Sequence, residues 1–285
     1  MTQMTKPNGK DFTKVAFMKK YFYLLPLILI GCKNTALPPS TDKTDLHLAG
    51  PVQTVTITEY DAIMENGECV PLDTLTTRTI TFSQEGRIEK VVHENGTELY
   101  YYEPGCRTIK HFDMDGDPDF DEIARYDAHG DRVSWGMYGT DGTVMSREEY
   151  TYADHRSIET HVLTGDVEEN LVRRDYRYDD AGHVLAYTAY SPQGTIVYKW
   201  NCTYDDHGNP ACEHWIDEND SVMSTNHYTY NDHGLIASDQ AGLYYNTFSY
   251  EYDEQGNYIR KITTPSENDE RLVYTIETRE IKYYE

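Results

Sequence analysis

Tyr176-Arg-Tyr178-Asp-Asp-Ala-Gly182 and Tyr250-Glu-Tyr252-Asp-Glu-Gln-Gly256 are two copies of one pattern. It reads aromatic, polar, Tyr, a turn residue, two more residues, then Gly. The pattern recurs from Tyr100 to Tyr258 in strict register. Tyr100, Tyr126, Tyr152, Tyr178, Tyr204 and Tyr230 are each 26 residues apart, and Tyr252 follows after 22. Half a period away, Phe112, Tyr138, Thr164, Tyr190 and Ile216 also step by 26, and Gly116, Gly142 and Gly194 follow three of them at one offset. A fixed period of this size marks a stack of one supersecondary unit. With two turns in each period, the simplest unit is a β-hairpin.

Parity supports strands. Between Val172 and Tyr204 the even positions include Tyr176, Tyr178, Val184, Ala186, Tyr190, Ile196, Tyr198, Trp200 and Cys202, while Arg173, Asp175, Arg177, His183 and Lys199 fall on odd ones. Alternation with period 2 is the mark of a half-buried strand. Three-residue loops closed by Asp179/His183 and Ser191/Thr195 set Tyr178 opposite Val184 and Tyr190 opposite Ile196. A type I turn followed by a left-handed glycine suits that length, and Gly182 and Gly194 occupy its last position. The same register sets Cys202 opposite Cys212. Directly opposed Cα atoms lie about 4.5–5.5 Å apart, within disulfide range. A Cys202–Cys212 bridge is therefore expected, whereas nothing places Cys69 beside Cys106. By parity, Trp135 and Trp215 fall on the face opposite Trp200.

Each half-repeat of 13 residues leaves strands of about nine residues, roughly 30 Å long. Some 14 to 16 strands would follow, and open twisted sheets rarely exceed about ten without curling or splitting. The expected fold is all-β: a long antiparallel meander of 26-residue hairpin repeats, curled or two-layered.

The address comes from another stretch. Residues 1–17 carry no pattern, and the natural start is expected at Met18. Lys19 and Lys20 then precede the apolar run Tyr21–Ile30, which is too short to span a membrane as a helix. The run ends in Leu29-Ile30-Gly31-Cys32, which resembles the lipobox of bacterial lipoproteins. The resemblance implies cleavage before Cys32 and lipid on that residue, with several acyl chains giving a stable anchor. Lys33 stands where an Asp would mark inner-membrane retention, which favours the outer membrane. Residues 1–31 thus read as a signal peptide. Residues 32–48, with Pro38 and Pro39, read as the lipidated Cys and a flexible tether. Residues 49–285 read as a single β domain.

Tyr126-Asp-Ala-His-Gly130, Tyr178-Asp-Asp-Ala-Gly182, Tyr204-Asp-Asp-His-Gly208 and Tyr252-Asp-Glu-Gln-Gly256 resemble the YD repeats of Rhs-type proteins. The resemblance covers about 160 residues. It implies hairpin sheets that wrap into shells or spirals and serve as scaffold. The chain is too short to enclose a toxin, so encapsulation does not carry over.

Candidate chemistry is sparse. Asp113, Asp115, Asp117 and Asp119 alternate, as an oxygen-ligated calcium site would need. The EF-hand spacing fails, because Pro118 and Ala124 fall where Gly and an acid are required. Gly116 also keeps register with Gly142 and Gly194, which a solvated hairpin turn explains. His129, His155, His207 and His233 share one repeat position. Copies two strands apart lie roughly 9–10 Å from each other, too far to share one zinc ion. No Ser–His–Asp or Cys–His set stands out, and no catalysis is expected. The 26 tyrosines suit a ladder of rings that pack while their hydroxyls reach polar partners.

Charge narrows the partners. The net charge is −24, and residues 1–32 hold five Lys and one Asp, so removing their +4 leaves −28 beyond them. Nucleic acid and anionic lipid surfaces are disfavoured. The expected function is an envelope-anchored scaffold or protein-interaction surface that meets the membrane through its lipid. Its partner would be another envelope protein. The alternative is a carbohydrate- or cell-wall-binding module that stacks glycans on exposed Tyr or Trp.

Overall fold

The coordinates are a computed structural model that describes residues 42–153, 157–164, 167–242, 244–266 and 274–285, the side chains of 153–172 excepted. The expected signal peptide, Cys32 and the tether as far as residue 41 lie outside those residues. In chain order the elements are a short helix α1 (Asp42–Asp45), then β1 (Val52–Glu65), β2 (Glu68–Phe82), β3 (Ile88–His93), β4 (Gly96–Glu103), β5 (Cys106–Phe112), β6 (Pro118–Tyr126), β7 (Arg132–Gly139), β8 (Val144–Ala153) and β9 (Ser157–Thr164). They continue with β10 (Val167–Tyr178), β11 (Val184–Tyr190), β12 (Ile196–Tyr204), β13 (Pro210–Asp217), β14 (Val222–Tyr230), β15 (Ile236–Ala241), β16 (Tyr244–Tyr252), β17 (Tyr258–Pro265) and β18 (Tyr274–Tyr283).

All the strands join one 18-stranded sheet. Each pairs antiparallel with the next in sequence, as expected of a meander. The last strand, β18, also pairs with the first, from Thr54↔Lys282 to Ala62↔Tyr274. Every strand therefore has a partner on both sides, which removes the exposed edges that long sheets must otherwise protect. The sheet curls back on itself, and its 18 strands exceed the 14 to 16 expected.

The loops follow the expected chemistry. At Asp179–His183, the amide of Asp179 donates to the carbonyl of His183 at 3.0 Å, and that of Gly182 to the carbonyl of Asp179 at 3.2 Å. Gly182 sits at φ +93°, where a side chain is strained. Tyr178 opposes Val184 and Tyr190 opposes Ile196, as expected. Beyond the closing pair, however, the register slips by one residue, so that Arg177 faces Ala186. This is the bulge that accompanies a type I turn with a left-handed glycine. It places one unpaired residue in each such hairpin and reverses the parity of the buried face.

Two expectations fail for that reason. Cys202 lies opposite Glu213, and Thr203 lies opposite Cys212. Neighbouring positions on a strand point to opposite faces, so the Cys202 and Cys212 thiols are divided by the sheet and both are free. Trp215 lies directly opposite Trp200 and shares its face. Trp135 lies opposite Ala124, which is 1% exposed, and so also belongs to the buried face.

The tether also ends earlier than expected. Residues 42–48 fold against the sheet, where residues up to 48 were expected to be a flexible tether. Asp42 Oδ2 accepts the Ile88 amide at 2.8 Å and the Tyr102 hydroxyl at 2.7 Å. Arg279 donates to the Leu46 carbonyl at 2.8 Å. Asn257 is fully buried; its side chain accepts the Ala49 amide at 2.6 Å and donates to the Ala49 carbonyl at 3.1 Å. Leu48 joins Val52, Val55, Ile57, Ile80, Phe82 and Val91 in the main apolar cluster. Each such side chain contributes about 1.5–3 kcal/mol when fully buried. The N-terminal strap is thus part of the core.

Candidate functional site

The repeated tyrosines brace the turns. Tyr152, Tyr204 and Tyr230 each donate their hydroxyl to a carbonyl 20 residues back: Arg132, Val184 and Pro210, at 2.7, 2.8 and 2.8 Å. Each accepting carbonyl belongs to the first residue of the preceding strand. The ring of Tyr204 also stacks on His183, with centroids 4.7 Å apart, and Tyr252 stacks on His233 at 4.0 Å. One turn of the meander is therefore clamped by the tyrosine that opens the next turn at the same end. Tyr252 accepts a hydrogen bond from Asn231 Nδ2 at 3.0 Å.

Three other members of the ladder differ. Tyr100 packs against the apolar cluster and donates to Glu98 at 2.8 Å. The Tyr126 amide bonds the Gly105 carbonyl at 2.9 Å. The Tyr178 hydroxyl is buried and finds no hydrogen-bond partner among the described residues.

The same face holds an aromatic cluster. Tyr187 stacks on Trp200 at 5.3 Å, meets Trp215 edge-on at 6.3 Å, and lies 5.3 Å from Tyr176. Tyr198 lies 5.6 Å from Trp215 and accepts from Arg174 at 3.3 Å. Burial pushes the Tyr176, Tyr230 and Tyr250 phenols up to about 12 and the Cys202 thiol up to about 11. These groups remain neutral donors at ordinary pH, and the thiol is a poor nucleophile. The opposite face is charged and wet. It carries pairs such as Lys110–Asp121 at 2.8 Å and Arg173–Asp175 at 3.3 Å.

A cavity of about 300 Å³ lies between the strap and the turns beside it, lined by His47, Leu48, His233, Leu235, Tyr252 and Tyr258 among others. Burial, and then the charge of Arg279, holds His47 below its ordinary value, which favours a neutral imidazole there. Arg279 is itself committed: it donates to Tyr258 and to Glu277, and its guanidinium lies 3.6 Å above the Tyr258 ring. Sequence reasoning missed Asp42, Asn257 and Arg279. Asn257 occupies the closing position of a turn, where it resembles an ordinary loop residue.

Of the acidic candidates, Asp113 acts as a turn cap. Asp113 Oδ1 accepts the amides of Asp115 and Asp117, both at 2.9 Å. Asp127, Asp179, Asp205, Asp217, Asn231 and Asp253 do the same for their own turns. Asp115 and Asp117 are exposed on the same loop, and Asp119 is exposed at the start of β6. Among the described residues no group of three or more His, Cys, Asp or Glu side chains is placed to hold a metal ion. His129, His207 and His233 occupy equivalent turns, and His155 lies outside the described residues.

No protein-family model matches this chain, and no curated protein matches its sequence. Solved structures resemble its fold. A porin-like protein from Bacteroides uniformis superposes over 88% of this chain and 100% of its own, at 10% identity and a TM-score of 0.47. A porin-like protein from Bacteroides vulgatus covers 83% of this chain and 99% of its own, at 14% identity and a TM-score of 0.32. The Tc holotoxin pore of Photorhabdus luminescens matches over 77% of this chain, at 11% identity and a TM-score of 0.18, and this chain spans 18% of its length.

Proposed function

We propose that this chain is an envelope-anchored repeat lipoprotein whose sheet is a scaffold and protein-interaction surface, without catalysis. The observation that carries the reading is how the tyrosine-rich face is used. Most of the rings described on it pack on one another, and Tyr152, Tyr204 and Tyr230 spend their hydroxyls clamping turns, so the repeats build a rigid body. The anchor half of the reading rests on Leu29-Ile30-Gly31-Cys32. Residues 33–41 separate Cys32 from the strap, and about ten extended residues reach roughly 33–36 Å. The strap docks where the Tyr-Asp turns lie, and that end would face the membrane. Glycan stacking has less support, because among the described residues the exposed aromatic rings are Tyr101, Tyr244 and Tyr245, while the three tryptophans lie on the packed face.

Metabolic labelling with an alkyne fatty acid, followed by membrane fractionation, tests the anchor. The expected result is a labelled, membrane-bound protein that becomes unlabelled and soluble in Cys32→Ala. An unlabelled wild-type protein would remove the anchor from the account. Protease treatment of intact and lysed cells then assigns the side of the envelope on which the sheet stands.

A further inference from the structure

The two ends of the sheet differ in chemistry. In an antiparallel meander alternate turns lie at opposite ends. The Tyr-Asp turns and the strap share one end. The turns at 66–67, 94–95, 113–117, 139–143, 191–195, 217–221 and 242 share the other. Among the described residues, ten of the thirteen exposed large hydrophobic side chains lie within three residues of a turn at this second end. Met114 is 75% exposed and Val222 59%. Met64, Met145, Val197 and Met223 extend the same rim. Hydrophobic side chains scattered singly need no explanation, but a rim of them does.

Charge sets the rim apart as well. Residues 63–75, 92–98, 112–120, 138–145, 190–197, 216–223 and 241–245 contain thirteen Asp or Glu and no Lys or Arg. Lys199 reaches one of these acids, Asp220, from β12. The strap-end turns hold acids as well, such as Asp127, Asp179, Asp205 and Asp253, but carry Arg87, Arg107 and Arg132 beside them. Among the described residues the rim is therefore apolar and predominantly acidic, with Arg260 reaching the Cys69 carbonyl at 3.1 Å from β17.

We propose that this rim is a docking surface for a protein partner whose contact face is basic and studded with apolar side chains. The proposal rests on the scaffold reading and names the class of partner. Charge complementarity selects the occupant. A second copy would set acids against acids, and an anionic bilayer would repel the rim, since like charges juxtaposed at an interface cost several kcal/mol. A basic partner would be steered in by the field and held by Met and Val side chains leaving water.

The test is photo-crosslinking in the full-length chain in its own cells. Benzoylphenylalanine is placed at Met145 or Val222 on the rim, at Asp206 in a Tyr-Asp turn, and at Thr229 on a strand. The expected result is a crosslink from the rim positions alone, to a protein whose crosslinked peptide is rich in Lys or Arg. Its yield should fall about tenfold, equivalent to about 1.4 kcal/mol, in the triple variant Asp115→Asn, Asp119→Asn, Glu218→Gln. These three carboxylates cap no turn, so the fold should survive. Val222→Ser with Met223→Ser should lower the yield similarly. A crosslink to a second copy, to lipid, or to an acidic peptide would overturn the proposal, as would a yield indifferent to the variants. Protein crosslinks from Asp206 or Thr229 alone would overturn the rim and leave the scaffold reading standing. Absence of protein crosslinks at all four positions would overturn both.

Discussion

The hydroxyl of Tyr204 donates to the carbonyl of Val184, 2.8 Å away and 20 residues earlier in the chain. This bond explains why the sequence repeats Tyr so strictly. The tyrosine closing one strand reaches the residue that opens the strand beside it, and the ring covers His183 in the earlier turn. A 26-residue period returns the next tyrosine to the next turn at the same end.

Removing that hydroxyl should cost little and removing the ring should cost more. Tyr204→Phe is expected to destabilise by about 1 kcal/mol, the net worth of one hydrogen bond. Tyr204→Ala also leaves a cavity and should cost about 3 kcal/mol or more. Urea unfolding of both variants checks the order; equal losses would mean that the ring does not clamp the turn.

Acid should loosen the turns. Hydrogen bonds from Thr143 hold Asp141 below the usual carboxylate range; those from His183 do so for Asp179, and the Asn209 amide does so for Asp205. A folded-state value below the unfolded one, about 3.9 for Asp, contributes stability above that pH. The contribution is lost as pH falls through the folded value. The expected observation is a Tm gap between wild type and Asp205→Ala that is constant near neutrality and narrows below about pH 4. A gap that widens in acid would contradict the assignment.

Two glycines should respond differently to alanine. At Gly182 an added Cβ meets nothing within 4 Å, but φ is +93°. The cost is conformational, about 1–2 kcal/mol. At Gly96, φ is +147° and the Cβ would lie 1.9 Å from the Phe112 carbonyl oxygen. Strand β4 would have to move away from β5, at about 3 kcal/mol or more. Thermal melts of Gly96→Ala and Gly182→Ala check the ranking.

The thiols should report the faces. Cys202 is 4% exposed with its pKa pushed up to about 11, whereas Cys212 lies across the sheet. In the native protein, iodoacetamide should modify Cys212 well before Cys202. Non-reducing peptide maps should show no bridge between them. A 202–212 bridge would mean that the register after Tyr204 is in error.

Much of the fold was legible because hairpin chemistry is local. The Tyr spacing, Gly182 and Gly194 gave the strand class, the turn positions and the closing pairs. What was lost is the single bulged residue after each such turn. It has no side-chain signature, yet it reverses parity, and with it the placement of Cys212 and Trp215. The docking of residues 42–48 was also hidden, because it depends on Asn257 and Arg279, more than 200 residues away. So was the return of β18 to β1, since strand pairing across a whole domain leaves no period in the sequence. Turn caps at Asp113 and Asp127 looked like ligands or ordinary loop acids until their amide partners were in view.

The return of the last strand to the first makes the repeats one body. Thr58 and Thr278 are directly paired across β1 and β18. Their Cα atoms fall in the range that a disulfide spans. Thr58→Cys with Thr278→Cys, followed by non-reducing peptide mapping, measures the pairing. An intramolecular 58–278 bridge is expected, formed readily in the native protein and absent after unfolding before oxidation. Two free thiols at these positions, or bridges only between molecules, would contradict it.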